Sequence, residues 1–141
     1  IQQILEECTD SKYQIIEKMI LPDEKAKIER QLCRLADQRQ INVVFTTGGT
    51  GFAERDVTPE ATIAVCDKMA PGIAEAMRHY SLSITNRAML SRAVAGIRKK
   101  TLIINLPGSP KAVKESLEYI LPALGHGLGI LRGTDGECGN A

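Results

Sequence analysis

Aromatic residues, long apolar runs and an excess of charge of one sign are all scarce in this chain of 141 residues. Aromatic residues make up 4% of it, Trp is absent, and 18 Lys and Arg nearly balance 17 Asp and Glu. With so few rings for stacking and so little net positive charge, nucleic acid is not an expected partner. A membrane-spanning helix needs about 20 apolar residues in a row. No run of that length occurs, so no membrane partner is expected.

Closely spaced cysteine pairs are also missing. The four cysteines form no CxxC motif and have no histidine cluster beside them: Cys8, Cys33, Cys66 and Cys138. Zinc sites and disulfide frameworks usually require such spacing, so neither is predicted. Reduced cysteines and the lack of a cationic, apolar leader before the first helix-like segment favour a cytoplasmic location.

What the chain does contain is an ordinary globular composition, with 43% hydrophobic and 25% charged residues. This predicts one domain over residues 1–141. Apolar periodicity and capping signals predict helices over residues 1–8, 23–38, 58–69, 73–80, 86–97 and from 110 onward, with strands over 13–20, 41–47 and 101–106. The alternation predicts a three-layer α/β fold, in which a mainly parallel sheet is flanked by helices. Sites then belong at the carboxyl ends of the strands.

A glycine-rich segment directly follows the predicted strand at 41–47. Its hydroxyls and glycines allow the backbone to approach an anion closely, and phosphate is the expected ligand. The segment consists of Thr46, Thr47, Gly48, Gly49, Thr50 and Gly51. The segment is neither a Walker loop nor a GxGxxG fingerprint. A tight turn without a ligand is the alternative, because glycines also suit positive φ angles.

Two carboxylates stand at predicted strand-to-helix junctions. Asp56 follows the glycine segment, and Asp23 follows the predicted strand at 13–20. If both face the same edge of the sheet, they converge near one phosphate, where they could bind a hard divalent cation. The alternative is that each caps a turn or a helix.

Further polar residues are weaker candidates for the same pocket. Ser81 and Ser91 offer hydroxyls, and Arg92 and Arg98 offer guanidinium groups suited to phosphate or a polar heterocycle. The turn Pro107, Gly108 and Ser109 presents amides at a helix start, either as an anion site or as an ordinary turn. Helix capping and exposed polarity are the alternative explanation for these residues.

Four segments in order resemble one known family. They are LPDE at 21–24, TTGGTGFAERDVTPEAT at 46–62, AMLSRAVAGIR at 88–98 and TLIINLPGSPKAV at 101–113. Together they resemble the molybdopterin adenylyltransferase family, which includes the bacterial enzyme and the G domains of gephyrin and its plant counterpart.

The resemblance implies a single α/β domain of the molybdopterin-binding type, assembled as a homotrimer. It implies that ATP and a divalent metal, Mg²⁺, serve to adenylylate molybdopterin with loss of pyrophosphate. The product later accepts molybdate, so the molybdate-insertion protein of the same pathway is an implied partner. A non-catalytic molybdopterin-binding or scaffold domain is the alternative function.

Carried over by residue, the resemblance places TTGGTG at the pterin phosphate and makes Asp23 and Asp56 the essential, metal-binding acids. It places Ser81, Ser91 and the turn at residues 107–109 around the pterin. A related bacterial group keeps GGTG without these two acids, so their presence favours the adenylyltransferase.

One family feature has no counterpart in this sequence. Family members begin with a strand, a Ser-Asp loop and an Asp-x-Ser-Gly helix start, and none of these precedes Ile1. We therefore expect the chain to be a truncated form of a longer protein, because a parallel sheet that loses a buried strand exposes unpaired edges.

Overall fold

A sheet with helices on both faces forms the fold in a computed structural model that describes residues 1–7 and 13–134. In this part of the chain the sheet has four strands in the order β1-β4-β3-β2. The strands are β1 (Val43–Thr47), β2 (Lys68–Met69), β3 (Ala95–Arg98) and β4 (Thr101–Leu106). The α-helices are α1 (Gln2–Glu7), α2 (Lys25–Cys33), α3 (Thr58–Val65), α4 (Pro71–Leu82) and α5 (Pro110–Arg132). A π-helical turn (Arg34–Gln38) extends α2, and a 3₁₀ turn (Asn86–Leu90) precedes β3.

The sheet is mixed rather than purely parallel. β1 pairs with β4 in parallel, whereas β3 pairs antiparallel with both β4 and β2. Three strands therefore run in one direction and β3 runs against them. The predicted α/β fold with a mainly parallel sheet is confirmed in this sense, and the reversed strand was not predicted.

Strand β4 supplies both faces of the core. Its residues Leu102, Ile104 and Leu106 pack against α1, α4 and α5, while Ile103 packs against α2 and α3. This is the alternation of side chains along a strand that helices cover on both faces. All six residues of β4 are buried. The predicted three layers are therefore present.

Helix α5 begins as predicted. The Ser109 hydroxyl accepts a hydrogen bond from Ala112 N at 3.1 Å, and Pro110 occupies the first turn, where no amide donor is needed. The predicted apolar stripe is buried at Val113, Leu117, Ile120, Leu121 and Leu124. The helix continues through Pro122 to Arg132 and ends at Gly133, whose φ is 77°.

The strand predicted over residues 13–20 is wrong. This segment carries no regular secondary structure. It borders a cavity whose other wall is β1, the edge strand of the sheet, so the two do not form a ladder. Ile20 is almost fully exposed, at 99%. β-branched composition alone does not supply a hydrogen-bonding partner.

The helix predicted over residues 58–69 is too long, and the one predicted over 86–97 is wrong, since that segment forms a 3₁₀ turn followed by β3. Pairing of β2 with β3 overrides the local pattern in both segments. Helix α3 ends at Val65, and Lys68–Met69 pair with Ile97 and Gly96. A Cβ at Gly96 would lie 2.6 Å from Cys66 Sγ, so glycine permits this close approach. The helix-capping role considered for Asp23 is also absent, since Glu24 occupies that N-cap position.

A buried asparagine connects three parts of the fold. Asn105 Nδ2 donates to Thr46 Oγ1 at 3.0 Å and to Thr62 Oγ1 at 2.9 Å, and Asn105 Oδ1 accepts from Val94 N at 3.2 Å. Asn105 and Thr62 are both fully buried. A polar group in such a position is tolerated only because its partners replace water.

Other sequence predictions concern residues outside the described ranges. Cys8, Cys138 and the polar tail after residue 134 lie there, while the two described cysteines, Cys33 and Cys66, are free thiols. Burial raises the pKa of the Cys66 thiol to about 11. Among the described helices, none is both long and apolar enough to traverse a bilayer.

Replacement of Asn105 by Ala should destabilise the fold by about 2 to 4 kcal/mol, since it removes three hydrogen bonds of a buried side chain and opens a cavity. Urea unfolding measures this change. Lys111→Ala, on a helix surface where the side chain is 81% exposed, should change the free energy of unfolding by less than about 0.5 kcal/mol. Equal stabilities of the two variants would contradict the role given to Asn105.

Acid should weaken the contact between the π-helical turn and β3. Hydrogen bonds from Arg98 lower the pKa of Asp37 from 3.8 to about 2. Between these pH values the unfolded chain therefore binds more protons than the folded chain. The stabilisation that the Asp37 carboxylate contributes is complete above pH 3.8 and is lost as the pH falls toward 2. Urea unfolding between pH 2 and 5 should show a shallower pH dependence for Asp37→Asn than for wild type. Identical slopes would contradict the linkage.

Candidate functional site

A cavity of about 590 Å³ runs along β1 and reaches the glycine segment at the carboxyl end of that strand. Its walls include β1, Gly48, Gly49, Asp23 and Asp56. The edge of the sheet where β1 ends is therefore also where the two predicted acids and the glycine segment meet. The expectation that Asp23 and Asp56 share one mouth of the sheet agrees with this geometry.

The glycine segment is bent by left-handed backbone at two positions. Gly48 has φ 85° and Gly49 has φ 70°, values that favour glycine over other residues. A Cβ on Gly49 would lie 2.3 Å from Thr58 Oγ1 and 3.7 Å from Asp23 Oδ1. A Cβ on Gly51 would lie 2.9 Å from Asp56 Oδ2. Each acid thus stands directly beside one of the glycines.

The amides of this segment are not equivalent. Gly48 N donates to Leu106 O at 3.3 Å, which corrects the expectation that its amide is available to a phosphate. The amides of Gly49, Thr50 and Gly51 donate to no acceptor within the part of the chain that the structure describes. Thr50 is buried. Successive unpaired amides can form an anion-binding nest, so these three are the candidate amide cradle, although only Gly49 of the three lines the cavity.

The two carboxylates retain free oxygens. Asp56 Oδ2 accepts from Ala53 N at 3.0 Å. Within residues 1–7 and 13–134, neither Asp56 Oδ1 nor the Asp23 side chain has a hydrogen-bond or ion-pair partner. The described residues contain no group of three or more acids, histidines or cysteines that could hold a metal. Two carboxylates suit Mg²⁺ when phosphates and water complete its shell, which is its usual mode of binding.

The turn after β4 lies against the glycine segment. Thr47 Oγ1 donates to Pro107 O at 2.8 Å, and a Cβ on Gly108 would lie 3.5 Å from Gly48 Cα. Thr47 and Gly108 both line a second cavity of about 630 Å³. The Ser109 hydroxyl is engaged as the cap of α5, as its alternative role predicted.

Ser81 and Ser91 do not line the cavity that holds the two acids. Ser81 lies near the end of α4, where its carbonyl accepts from Ile84 N and Thr85 N. Ser91 Oγ accepts from Ala93 N at 3.3 Å. The structure brings Ser91 near the glycine segment through its neighbour, because Arg92 N donates to Thr50 O at 2.8 Å.

Neither arginine considered as an anion ligand has a free guanidinium group. Arg92 binds Glu60 and the carbonyl oxygens of Gly51 and Asp56. Arg98 binds both oxygens of Asp37 and the Val65 carbonyl. Both side chains therefore hold protein segments together.

Sequence reasoning missed two residues that line the cavity. The Thr58 hydroxyl lies against Gly49, and the Arg55 side chain is exposed, with no ion pair among the described residues. The useful signal was the position of both residues beside Asp56 in the RDVT segment, since a loop that carries one site residue presents its neighbours to the same space.

Comparison with known proteins identifies close relatives of this chain. A family model described as "Probable molybdopterin binding domain" matches residues 1–126. Molybdopterin adenylyltransferase of Escherichia coli K12 is 52% identical over 111 residues, which cover 79% of this chain and 57% of that protein. Its counterpart in Helicobacter pylori strain 26695 is 50% identical over 115 residues, which cover 82% of this chain and 65% of that protein.

A solved structure agrees in fold as well as in sequence. The molybdopterin biosynthesis enzyme MoaB of Thermus thermophilus superimposes with a TM-score of 0.75 at 51% identity, covering 79% of this chain and 70% of that one. This chain spans about three fifths of the length of the two adenylyltransferases, at 57% and 65%.

The family match covers both acids, the glycine segment and the turn after β4, and it confirms the resemblance seen in the motifs. The chain therefore belongs to the molybdopterin-binding domain family.

Proposed function

We propose that the protein adenylylates molybdopterin with ATP, as part of molybdenum cofactor biosynthesis, and releases pyrophosphate. The observation that carries this proposal is that Asp23, Asp56 and Gly49 line one cavity, next to a loop in which the amides of Gly49, Thr50 and Gly51 are unpaired among the described residues. Such a site offers donors for a phosphate and acids for a divalent cation. The names and about 50% identity of the two adenylyltransferases support the same reaction.

In this mechanism the amides of Gly49, Thr50 and Gly51 hold the terminal phosphate of molybdopterin. A phosphate oxygen attacks the α-phosphorus of ATP and forms a new P–O bond. The bond from that phosphorus to the bridging β-phosphate oxygen breaks, and pyrophosphate leaves. Because the attacking phosphate is already ionised, the protein needs no nucleophile of its own and contributes orientation and electrostatic stabilisation. Arg55 at the rim offsets part of the phosphate charge.

Asp23 and Asp56 are the side chains that would hold Mg²⁺ here. When bound, the ion supplies neutralisation of negative charge on the phosphates. Asp56 also supports the loop itself, because its Oδ2 accepts a hydrogen bond from Ala53 N. Ser81 and Ser91 remain candidates for the pterin end of the substrate, and the residues at 107–109 for the wall next to it.

The remaining parts of the proposal rest on the family resemblance. They are a homotrimer, a cytoplasmic location and a handover of product to the molybdate-insertion protein.

The reaction is tested by incubating the protein with molybdopterin, ATP and Mg²⁺ and measuring pyrophosphate and adenylyl-molybdopterin. Both should form in equal amounts, and only when all three components are present. Tight binding of molybdopterin without pyrophosphate release would instead favour a non-catalytic binding or scaffold domain.

Asp56→Asn should lower kcat by about 100-fold or more, because one charge that compensates the reacting phosphates is lost. Molybdopterin binding should stay measurable, since the three amides are unchanged. Steady-state pyrophosphate release and fluorescence titration with molybdopterin measure the two effects. Asp67→Asn is the matched control, since Asp67 accepts from Lys99 N outside the cavity. Wild-type turnover by Asp56→Asn would contradict the proposed role.

Gly49→Ala should weaken molybdopterin binding at least about tenfold, because the new methyl group meets Thr58 and the residue is strained at positive φ. Gly72→Ala is the control, since nothing lies within 4 Å of its Cβ position. Titration with molybdopterin and with inorganic pyrophosphate compares the variants, and circular dichroism shows whether each is folded. Unchanged affinity in folded Gly49→Ala would count against the cradle.

A further inference from the structure

The side chain that connects the glycine segment to Asp56 comes from a distant part of the chain. Arg92 Nε donates to Gly51 O at 2.7 Å, and its Nη2 donates to Asp56 O at 2.7 Å. One guanidinium group thus connects the last glycine of the cradle with the backbone of the acid. Its planar fork can satisfy both carbonyl oxygens at once, which a lysine ammonium on a flexible stem does not reproduce.

The same guanidinium is anchored to helix α3. Arg92 Nη1 forms an ion pair with Glu60 Oε1, and this hydrogen bond is the main cause of a lowered pKa at Glu60. The other carboxylate oxygen of Glu60 is buried and has no hydrogen-bond partner among the residues that the structure describes. Loss of Arg92 therefore leaves the Glu60 carboxylate without its partner and the loop without its connection to the helix.

Arg92 does not itself enter the cavity. It is absent from the lining, whereas Asp56, which it holds through the backbone, is part of the wall. Gly51 and Asp56 are so close that a Cβ on Gly51 would lie 2.9 Å from Asp56 Oδ2. A shift of either residue therefore moves the amide cradle relative to the carboxylate.

We propose that Arg92, held by Glu60, is a positioning residue that sets the distance between the carboxylate of Asp56 and the amide cradle. This inference rests on the proposed adenylyl transfer for its kinetic readout. A displacement of reacting groups by about 1 Å can lower a rate by about 100-fold, so loss of a fixed loop should lower kcat more than it weakens binding.

The test compares Arg92→Lys with Arg98→Lys. Arg98 is a matched control, because it also joins a carboxylate to a backbone carbonyl, at Asp37 and Val65, away from the cavity. Arg92→Lys should lower kcat by about 10- to 100-fold with KM for molybdopterin changed less than about threefold. Arg98→Lys should keep the wild-type kcat, even where its thermal stability falls by the same amount.

Chemical rescue separates positioning from general stability. The Arg92 side chain is 34% exposed, so guanidinium ion can reach the space that Arg92→Ala leaves. Millimolar guanidinium chloride should restore part of the lost kcat in Arg92→Ala, whereas the same concentration of sodium chloride should not. A wild-type kcat in Arg92→Lys, or an equal loss in Arg98→Lys, would overturn the inference.

A second readout does not depend on turnover. Amide chemical shifts of Gly49, Thr50, Gly51 and Asp56 should change in Arg92→Lys and stay unchanged in Arg98→Lys. Absence of pyrophosphate release by wild type would refute the proposed function, and these shifts would still decide the role of Arg92. Unchanged shifts in Arg92→Lys would refute that role even if wild type is active.

Discussion

The parallel pairing of β1 with β4 is the constraint on which the site depends. Thr47 pairs with Leu106, so the two strands end at the same level of the sheet. Their following loops, one rich in glycine and one containing Pro107 and Gly108, are therefore forced into contact. Parallel strands with covered faces also require long crossover connections, and the connection from β1 to β4 carries Asp56, Arg92 and α3.

The site combines two opposite electrostatic elements within a few ångströms. Unpaired amides of the cradle attract an anion, while Asp23 and Asp56 repel one unless a cation lies between them. Phosphates accompanied by a divalent cation satisfy both elements, which neither a free carboxylate nor a neutral sugar would do. This complementarity favours the proposed chemistry over a simple tight turn.

Local signals in the sequence were sufficient for much of the fold. The Ser109-Pro110 helix start, the buried strand at residues 101–106 and the glycine segment are all properties of neighbouring residues. Pairing of β2 with β3 was missed because it depends on contact between Gly96 and Cys66, thirty positions apart. The Asn105 network and the Arg92 contacts were missed for the same reason, since their partners lie on other elements.

The proximity of the two acids was predicted for a partly wrong reason. Asp23 was assigned to the end of a strand over residues 13–20 that does not form. It reaches the cavity because α2 packs beside α3 through Ile28, Leu32, Ala61 and Val65.

The most direct measurement of the central claim is a crystal structure of the protein with adenylyl-molybdopterin. We expect the diphosphate within 3.2 Å or so of the amides of Gly49 to Gly51, with both carboxylates facing it. A diphosphate bound elsewhere, or acids turned to opposite sides of the loop, would contradict the account.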